Sequence, residues 1–397
     1  MASQQSVLTD LSQTLRETTG TTVVDAHAAG LHLAGNDQWS VSRRMLHEGP
    51  SDGVEVVNLC NGPLTVSILP TRGMGIWKAE YRDIPVGWNS PNRFPVHPHY
   101  VNLQSRNGLG WLDGFNELLC RCGLAFNGPP GTDEDAVSPI ESEITLHGRI
   151  ANTAAHHVSV SIDDSGDGTI SVRGEVDETT LFGPKLRLVS TVSSVAGSNG
   201  FTIVDEITNM GAAETELQLL YHTNIGQPFL EGNAQFLCPI KEACPRDARA
   251  AEGIDEFGRY LPPTPGYAEQ AYFFDLLADD RGESLALLHN AAGDRGFSVR
   301  FDRQQLPCFT LWKCTQAEED GYVTGLEPGI NYPNFKADER RLGRVPRLAP
   351  GDTYRTSLSF EIHDSAESVS AVAGRIRDLQ ASAEPTIHRE PVKPFCP

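Results

Sequence analysis

Alternation of apolar and polar side chains constrains this chain more than any other feature. It recurs over 157–162, 169–174, 186–192 and 201–207, and a period of two gives each stretch one face to bury and one to hydrate, the pattern of a half-buried strand. The stretches 54–59 and 64–69 flank the turn residues Asn61-Gly62-Pro63 as two more strands, and 216–221 and 356–362 read the same way. Between 162 and 169 lies an acidic turn, Asp163-Asp164-Ser165-Gly166-Asp167-Gly168. It superficially resembles a calcium loop but lacks the terminal glutamate and flanking helices, and reads as a solvated hairpin tip. Many strands and few helical patterns predict an all-β, antiparallel sandwich. One helix stands apart near the end, where Asp364 or Ser365 can cap a run whose Val369, Val372, Ile376 and Leu379 form an apolar stripe, a C-terminal strap across the sandwich. With no internal repeat, low-complexity tract or linker, a single continuous domain is expected over 1–397. Residues 1–35 form its N-terminal arm and 364–397 its C-terminal helix and tail.

Composition limits the partners. The 397 residues are 39% hydrophobic, enough for a large core, and 37 glycines and 26 prolines suit short strands and turns. A net charge of -20 without a long basic run makes nucleic acid and anionic membranes poor partners, since both need a cationic footprint. The sequence from Met1 to Asp10 has neither a basic start nor an apolar signal segment, and no stretch is long and apolar enough to span a bilayer, so a cytoplasmic protein is expected. The eight cysteines lack a disulfide-scaffold spacing. Cys120 and Cys122 would share one face of a strand, as buried free thiols.

Two segments carry the candidate chemistry: Leu220-Tyr221-His222-Thr223-Asn224-Ile225-Gly226 and Gly325-Leu326-Glu327-Pro328-Gly329. His222 supplies an imidazole that exchanges a proton near neutral pH, and Glu327 a carboxyl that burial turns into a better base. Each also has a plain reading, His222 as a core histidine bonded to backbone and Glu327 as the partner of an arginine. Asn224, two residues beyond His222, should share its face and either bond a ligand hydroxyl or fix the imidazole.

The ordered motifs Leu146-His147-Gly148-Arg149, Tyr221-His222-x-Asn224-x-Gly226 and Gly325-Leu326-Glu327-Pro328, with Leu69-Pro70-Thr71-Arg72-Gly73-Met74-Gly75-Ile76 and Trp88-Asn89-Ser90-Pro91, resemble the galactose mutarotase-like superfamily, in particular its DUF4432 branch. The resemblance spans most of the chain. It implies a β-supersandwich with a C-terminal helix and a sugar groove on its concave face. By the same resemblance His222 is the general acid on the ring oxygen, Glu327 the base on the anomeric hydroxyl, and His147 a contact to sugar hydroxyls. The implied activity is that of an aldose 1-epimerase on a free or modified sugar. The sequence departs from better-known mutarotases in having Glu327-Pro328-Gly329 and the His222-x-Asn224-x-Gly226 pattern, which leaves the sugar open. A sugar isomerase or β-eliminating lyase using the same pair, and a non-catalytic carbohydrate-binding protein, are the other readings.

Ring opening of a hemiacetal needs a proton delivered to O5 as the O1 proton leaves, and no metal or organic cofactor, because the sugar supplies its own carbonyl equivalent. Arg72, beside Gly73 and Gly75, which allow close backbone approach to a ligand, either grips hydroxyls or a carboxylate or closes a strand end by pairing with an acid. Arg149 would share a strand face with His147. Trp312 is preferred over Trp88 and Trp111 for stacking on a sugar ring, with Lys313 facing the other way. His97 and His99, with Asp113 or Glu117, have metal-ligand chemistry, yet Phe94-Pro95-Val96-His97-Pro98-His99-Tyr100 equally suits a loop packed over the sandwich, and no metal is assigned.

Overall fold

The computed structural model describes residues 3–10, 22–33, 37–164 and 168–397. Among them, one sheet of nine strands packs on one of thirteen, with two small two-stranded ribbons beside them. This is the antiparallel β-supersandwich of the galactose mutarotase-like type. One parallel pairing, between Ile240–Pro245 and the short strand Thr386–Ile387, joins the C-terminal tail to an edge of the larger sheet.

Burial follows the alternation in the nine-stranded sheet. Thr169–Thr179, Lys185–Val195 and Gly200–Asn209 bury every second residue and leave the others partly wet. The central strands of the larger sheet differ: Gln218–Ile225 and Val323–Gly329 are buried at every position. Both of their faces are covered, one by the opposing sheet and the other by long connections. The shared core combines aliphatic side chains, with Val172, Leu188, Ile203 and Leu358 meeting Ile68, Ile76 and Leu119, and aromatic ones such as Phe297, Phe301, Phe309 and Phe360.

Ser190 and Asp205 break the inward row of apolar residues. They meet Arg121 from the opposite sheet, whose Nε donates to Asp205 Oδ2 at 2.5 Å and whose Nη2 donates to Asp205 Oδ1 at 3.0 Å and Ser190 Oγ at 2.7 Å. Arg121 Nη1 donates to the carbonyls of Met74 and Gly73, and Tyr221 donates its hydroxyl to Asp205 Oδ2 at 2.7 Å. Both ionic side chains are fully buried. A second tie is Glu178, which accepts the backbone N–H groups of Leu124 and Ala125 at the end of the strand Leu119–Leu124.

Of the expected N-terminal arm, Ser3–Asp10 pairs with His157–Asp163 and Thr22–Asp25 with Ser40–Met45, so these pieces extend the edges of the two sheets. Of the tip expected at 163–168, residues 165–167 lie outside the described residues. The C-terminal helix forms over Ala366–Gln380 with Ser365 as its cap, and Val369, Val372, Ala373 and Ile376 pack on Leu285 and Leu287 of the nine-stranded sheet. Leu288 and Ala286 of that same strand point into the main core, which puts the helix on the sheet's outer face. No helix among the described residues is long and apolar enough to cross a membrane.

Removing one partner of the buried pair leaves the other charge stranded. Arg121→Met should therefore cost about 3–5 kcal/mol in urea denaturation, and Arg121→Met with Asp205→Leu should recover part of that loss; equal stabilities for parent and single variant would show that the pair holds nothing.

Candidate active site

Four adjacent strands, Leu119–Leu124, Gln218–Ile225, Val323–Gly329 and Cys308–Cys314, place the candidate residues on the face of the larger sheet turned away from the core. Register sets His222 opposite Cys120, Thr223 opposite Leu326, Glu327 opposite Thr310 and Gly325 opposite Trp312. His222 Nε2 lies 3.2 Å from Glu327 Oε1, and the two side chains are 7% and 3% exposed. The carboxyl reaches the imidazole by folding over Gly325. A Cβ there would meet Glu327 Oε1 at 2.2 Å, so the position needs glycine for steric room.

The other imidazole nitrogen is held from behind. Asn224 Oδ1 lies 2.6 Å from His222 Nδ1, and Asn224 Nδ2 donates to the Glu117 carbonyl at 2.9 Å and the His222 carbonyl at 3.2 Å. Asn224 is fully buried, and both of its side-chain polar atoms are engaged in these bonds, which hold the imidazole in place. Glu117 is anchored in turn by Arg72, whose Nε donates to Glu117 Oε1 at 2.6 Å. Arg72 also donates to the Val96 and Gly114 carbonyls and to Asn152 Oδ1 and is 1% exposed. The structure thus places Arg72 beneath the site, where it fastens the 114–117 segment.

Aromatic rings close the site. From the His222 ring the centroids of Phe115, Trp312, His147 and Trp111 lie at 5.0, 5.3, 5.7 and 6.1 Å. Trp88 packs on Phe115 and donates to the Glu117 carbonyl. Cys120 and Cys122 are buried with Trp111 and Phe115 in the same cluster. Trp312 donates Nε1–H to Glu269 Oε2 at 2.5 Å, and Glu269 Oε1 pairs with Arg246 Nη2 at 2.9 Å.

His147 reaches His222 from a turn, which corrects the expectation that His147 and Arg149 share a strand face. His147 and Gly148 have φ of 57° and 81°, and a Cβ on Gly148 would lie 2.2 Å from the Gly123 carbonyl oxygen. The backbone reverses there, so Arg149 points elsewhere, paired with Glu141 and lying over Phe126. His97 accepts the His99 N–H, Asp113 pairs with Arg106 and Glu117 with Arg72. Among the described residues no three His, Cys, Asp or Glu side chains converge to hold a metal ion. Phe115, Glu269 and Arg246 are site residues that carry no local sequence signal; Glu269 directly precedes the strand paired with that of Trp312.

Burial sets the electrostatics. It lowers His222 to about 4, against the opposing Asn224 hydrogen bond and Glu269 charge, and lowers His147 to about 3 with help from His222. It pushes Glu327 well above the usual carboxyl range; Glu269 adds to that shift and Arg246 opposes it. All three groups are therefore driven toward their neutral forms. The arrangement can pass protons to and from a small molecule with water excluded.

The sequence matches the family model of a domain of unknown function, DUF4432, over residues 51–362. No curated protein matches. The fold is similar to a crystal structure of a candidate aldose 1-epimerase from Klebsiella pneumoniae subsp. pneumoniae, with TM-score 0.92, 34% identity and coverage of 98% of this chain and 99% of that one. A galactose mutarotase-like protein from Clostridium acetobutylicum shares the fold at TM-score 0.57 and 14% identity, over 83% of this chain and 100% of its own.

The shifted groups also make stability depend on pH. The buried histidines bind fewer protons than the unfolded chain between their ordinary value of 6.5 and about 4, so they stabilise the fold above that window and the contribution is lost as pH falls through it. Glu327 acts in the opposite sense above its ordinary 4.5, where the folded chain keeps a proton that the unfolded chain releases. Denaturation between pH 4.5 and 6.5 should accordingly show a flatter pH slope for His222→Asn and a steeper one for Glu327→Gln; parallel slopes for all three proteins would refute these assignments.

Proposed function

The chain belongs to the DUF4432 family, and from that premise we propose that it is an aldose 1-epimerase-like enzyme which opens and recloses the ring of a free or modified sugar by acid–base chemistry without a cofactor. The observation that carries this reading is the His222–Glu327 pair, 3.2 Å apart on adjacent strands and enclosed by Trp111, Phe115, His147 and Trp312. Interconverting anomers requires one group to protonate O5 while another takes the O1 proton. Two titratable side chains fixed side by side, with no other use for their reactive atoms, fit that demand.

The surroundings favour a carbohydrate. Trp312 is only partly buried and its indole offers a flat apolar face for sugar C–H groups, while Glu269 offers acceptors for hydroxyls. The cation at this rim, Arg246, is paired with Glu269 and Asp247. A neutral sugar therefore suits the site better than a sugar acid or phosphate. The pair is almost entirely covered, and Trp111 and Phe115 are among the rings that enclose it.

Magnetisation-transfer NMR across neutral, acidic and keto sugars tests this reading. The parent protein should accelerate anomer exchange of one neutral sugar, and folded Glu327→Gln and His222→Asn variants should each lose about 10²–10⁴-fold of it, the usual weight of a positioned acid or base. Absence of acceleration for every sugar would overturn the epimerase reading in favour of isomerisation, elimination or simple sugar binding.

A further inference from the structure

Two thiols meet at one edge of the larger sheet. Cys244 lies in the strand Ile240–Pro245 and Cys396 in the C-terminal tail, 152 positions later, and their sulfurs are 4.0 Å apart. Both residues are buried, in a cluster with Phe273, Cys308, Tyr332 and Phe395. Cys396 Sγ has the carbonyls of Pro245 and Arg246, at 3.5 and 3.4 Å, as acceptors for its hydrogen. Cys244 Sγ accepts the Val392 N–H at 3.4 Å, with the Pro245 and Glu390 carbonyls at 3.4 and 3.8 Å beside it.

The two sulfurs are not equivalent. The hydrogen bond from Cys396 lowers Cys244, against burial, with the Val392 N–H and His388 adding to that shift and Glu242 opposing it. The same bond, with burial, raises Cys396. Cys244 is therefore the member that forms a thiolate, the reactive species, and Cys396 the thiol beside it. Burial raises Cys120, Cys122, Cys238, Cys308 and Cys314 instead, which keeps those sulfurs protonated and inert.

The tail that carries Cys396 is fastened by few bonds. Thr386 and Ile387 form a two-residue strand opposite Glu242 and Ala243, and the His388 N–H donates to the Ala243 carbonyl at 2.9 Å. Further along, Asn334 Nδ2 and Arg344 Nη1 donate to the carbonyls of Phe395 and Pro394. This short segment covers a sheet edge whose backbone groups would otherwise be open to pairing with another chain.

We propose that Cys244 and Cys396 form a reversible disulfide that locks the tail onto this edge strand, with a peroxide as the oxidant. The Cys244 thiolate attacks one peroxide oxygen, the O–O bond breaks, and the departing hydroxide takes up a proton to become water, leaving a sulfenic acid on Cys244. The sulfur of Cys396 then attacks that of Cys244. The S–S bond forms as the S–O bond breaks, and the leaving hydroxide carries away the Cys396 proton as a second water. The two cysteines lose two electrons and the peroxide gains them. The sulfurs must close from 4.0 Å to about 2.05 Å, and the lightly held tail is the part that yields. Because the link closes a long stretch of chain, it also restricts the unfolded state and so stabilises the fold.

The test uses the protein over residues 1–397, reduced, freed of reductant and treated briefly with hydrogen peroxide at neutral pH. Peptide mapping by mass spectrometry without reduction should find Cys244 joined to Cys396, and dithiothreitol should return both to free thiols. The oxidised protein should unfold at a higher temperature than the reduced protein, and its His388 amide should exchange hydrogen more slowly. Folded Cys396→Ala should show neither difference, and the mapping of the parent stands without that variant. Free thiols at both positions after treatment, a link from either cysteine to Cys308, or sulfinic acid on Cys244 with Cys396 free would overturn the proposal.

Discussion

The sandwich turns on one polar contact within an apolar interface, the Arg121–Asp205 pair. Burying two charges is costly, and the cost is offset because Asp205 also accepts the Tyr221 hydroxyl and Arg121 also reaches Ser190 and two carbonyls. The network spans both sheets, and it has one geometry. Arg121 and Tyr221 lie on the strands that carry Cys120 and His222, one residue away in each case and therefore on the opposite face. The tie that sets how the sheets stack thus also sets the height and register of the candidate acid–base pair.

The site uses the same trade between burial and partnership in the other direction. Arg72 and Glu117 satisfy each other beneath it, and the carbonyl of Glu117 orients Asn224, which orients His222. Glu327 is left without donors inside an aromatic enclosure, a costly position for a carboxylate and a tolerable one for a carboxylic acid. That difference separates a glutamate serving structure, such as Glu178, from one poised to move a proton.

Much of the architecture was legible because alternation is a local signal. The strands at 169–174, 186–192 and 201–207 and the capped C-terminal helix needed only periodicity and an N-cap to be found. His222 and Glu327 were legible as titratable residues inside apolar runs. Arg149 was misplaced because the His147-Gly148 reversal depends on a close approach to the Gly123 carbonyl, a contact between separate segments. Phe115, Glu269 and Arg246 reach the site from distant connections, and nothing within a few residues of them marks that convergence.

By itself the sequence determined the strand-rich class, the faces each strand must bury, the candidate acid and base, and the absence of a cationic footprint, since these follow from side-chain chemistry at fixed spacing. Tertiary structure alone decided that Asn224 serves the imidazole, that Arg72 lies under the site, and that Glu327 has no donor. Whether a buried polar group is paired depends on which segments pack around it, and that packing is settled by the whole core, beyond the reach of any local window.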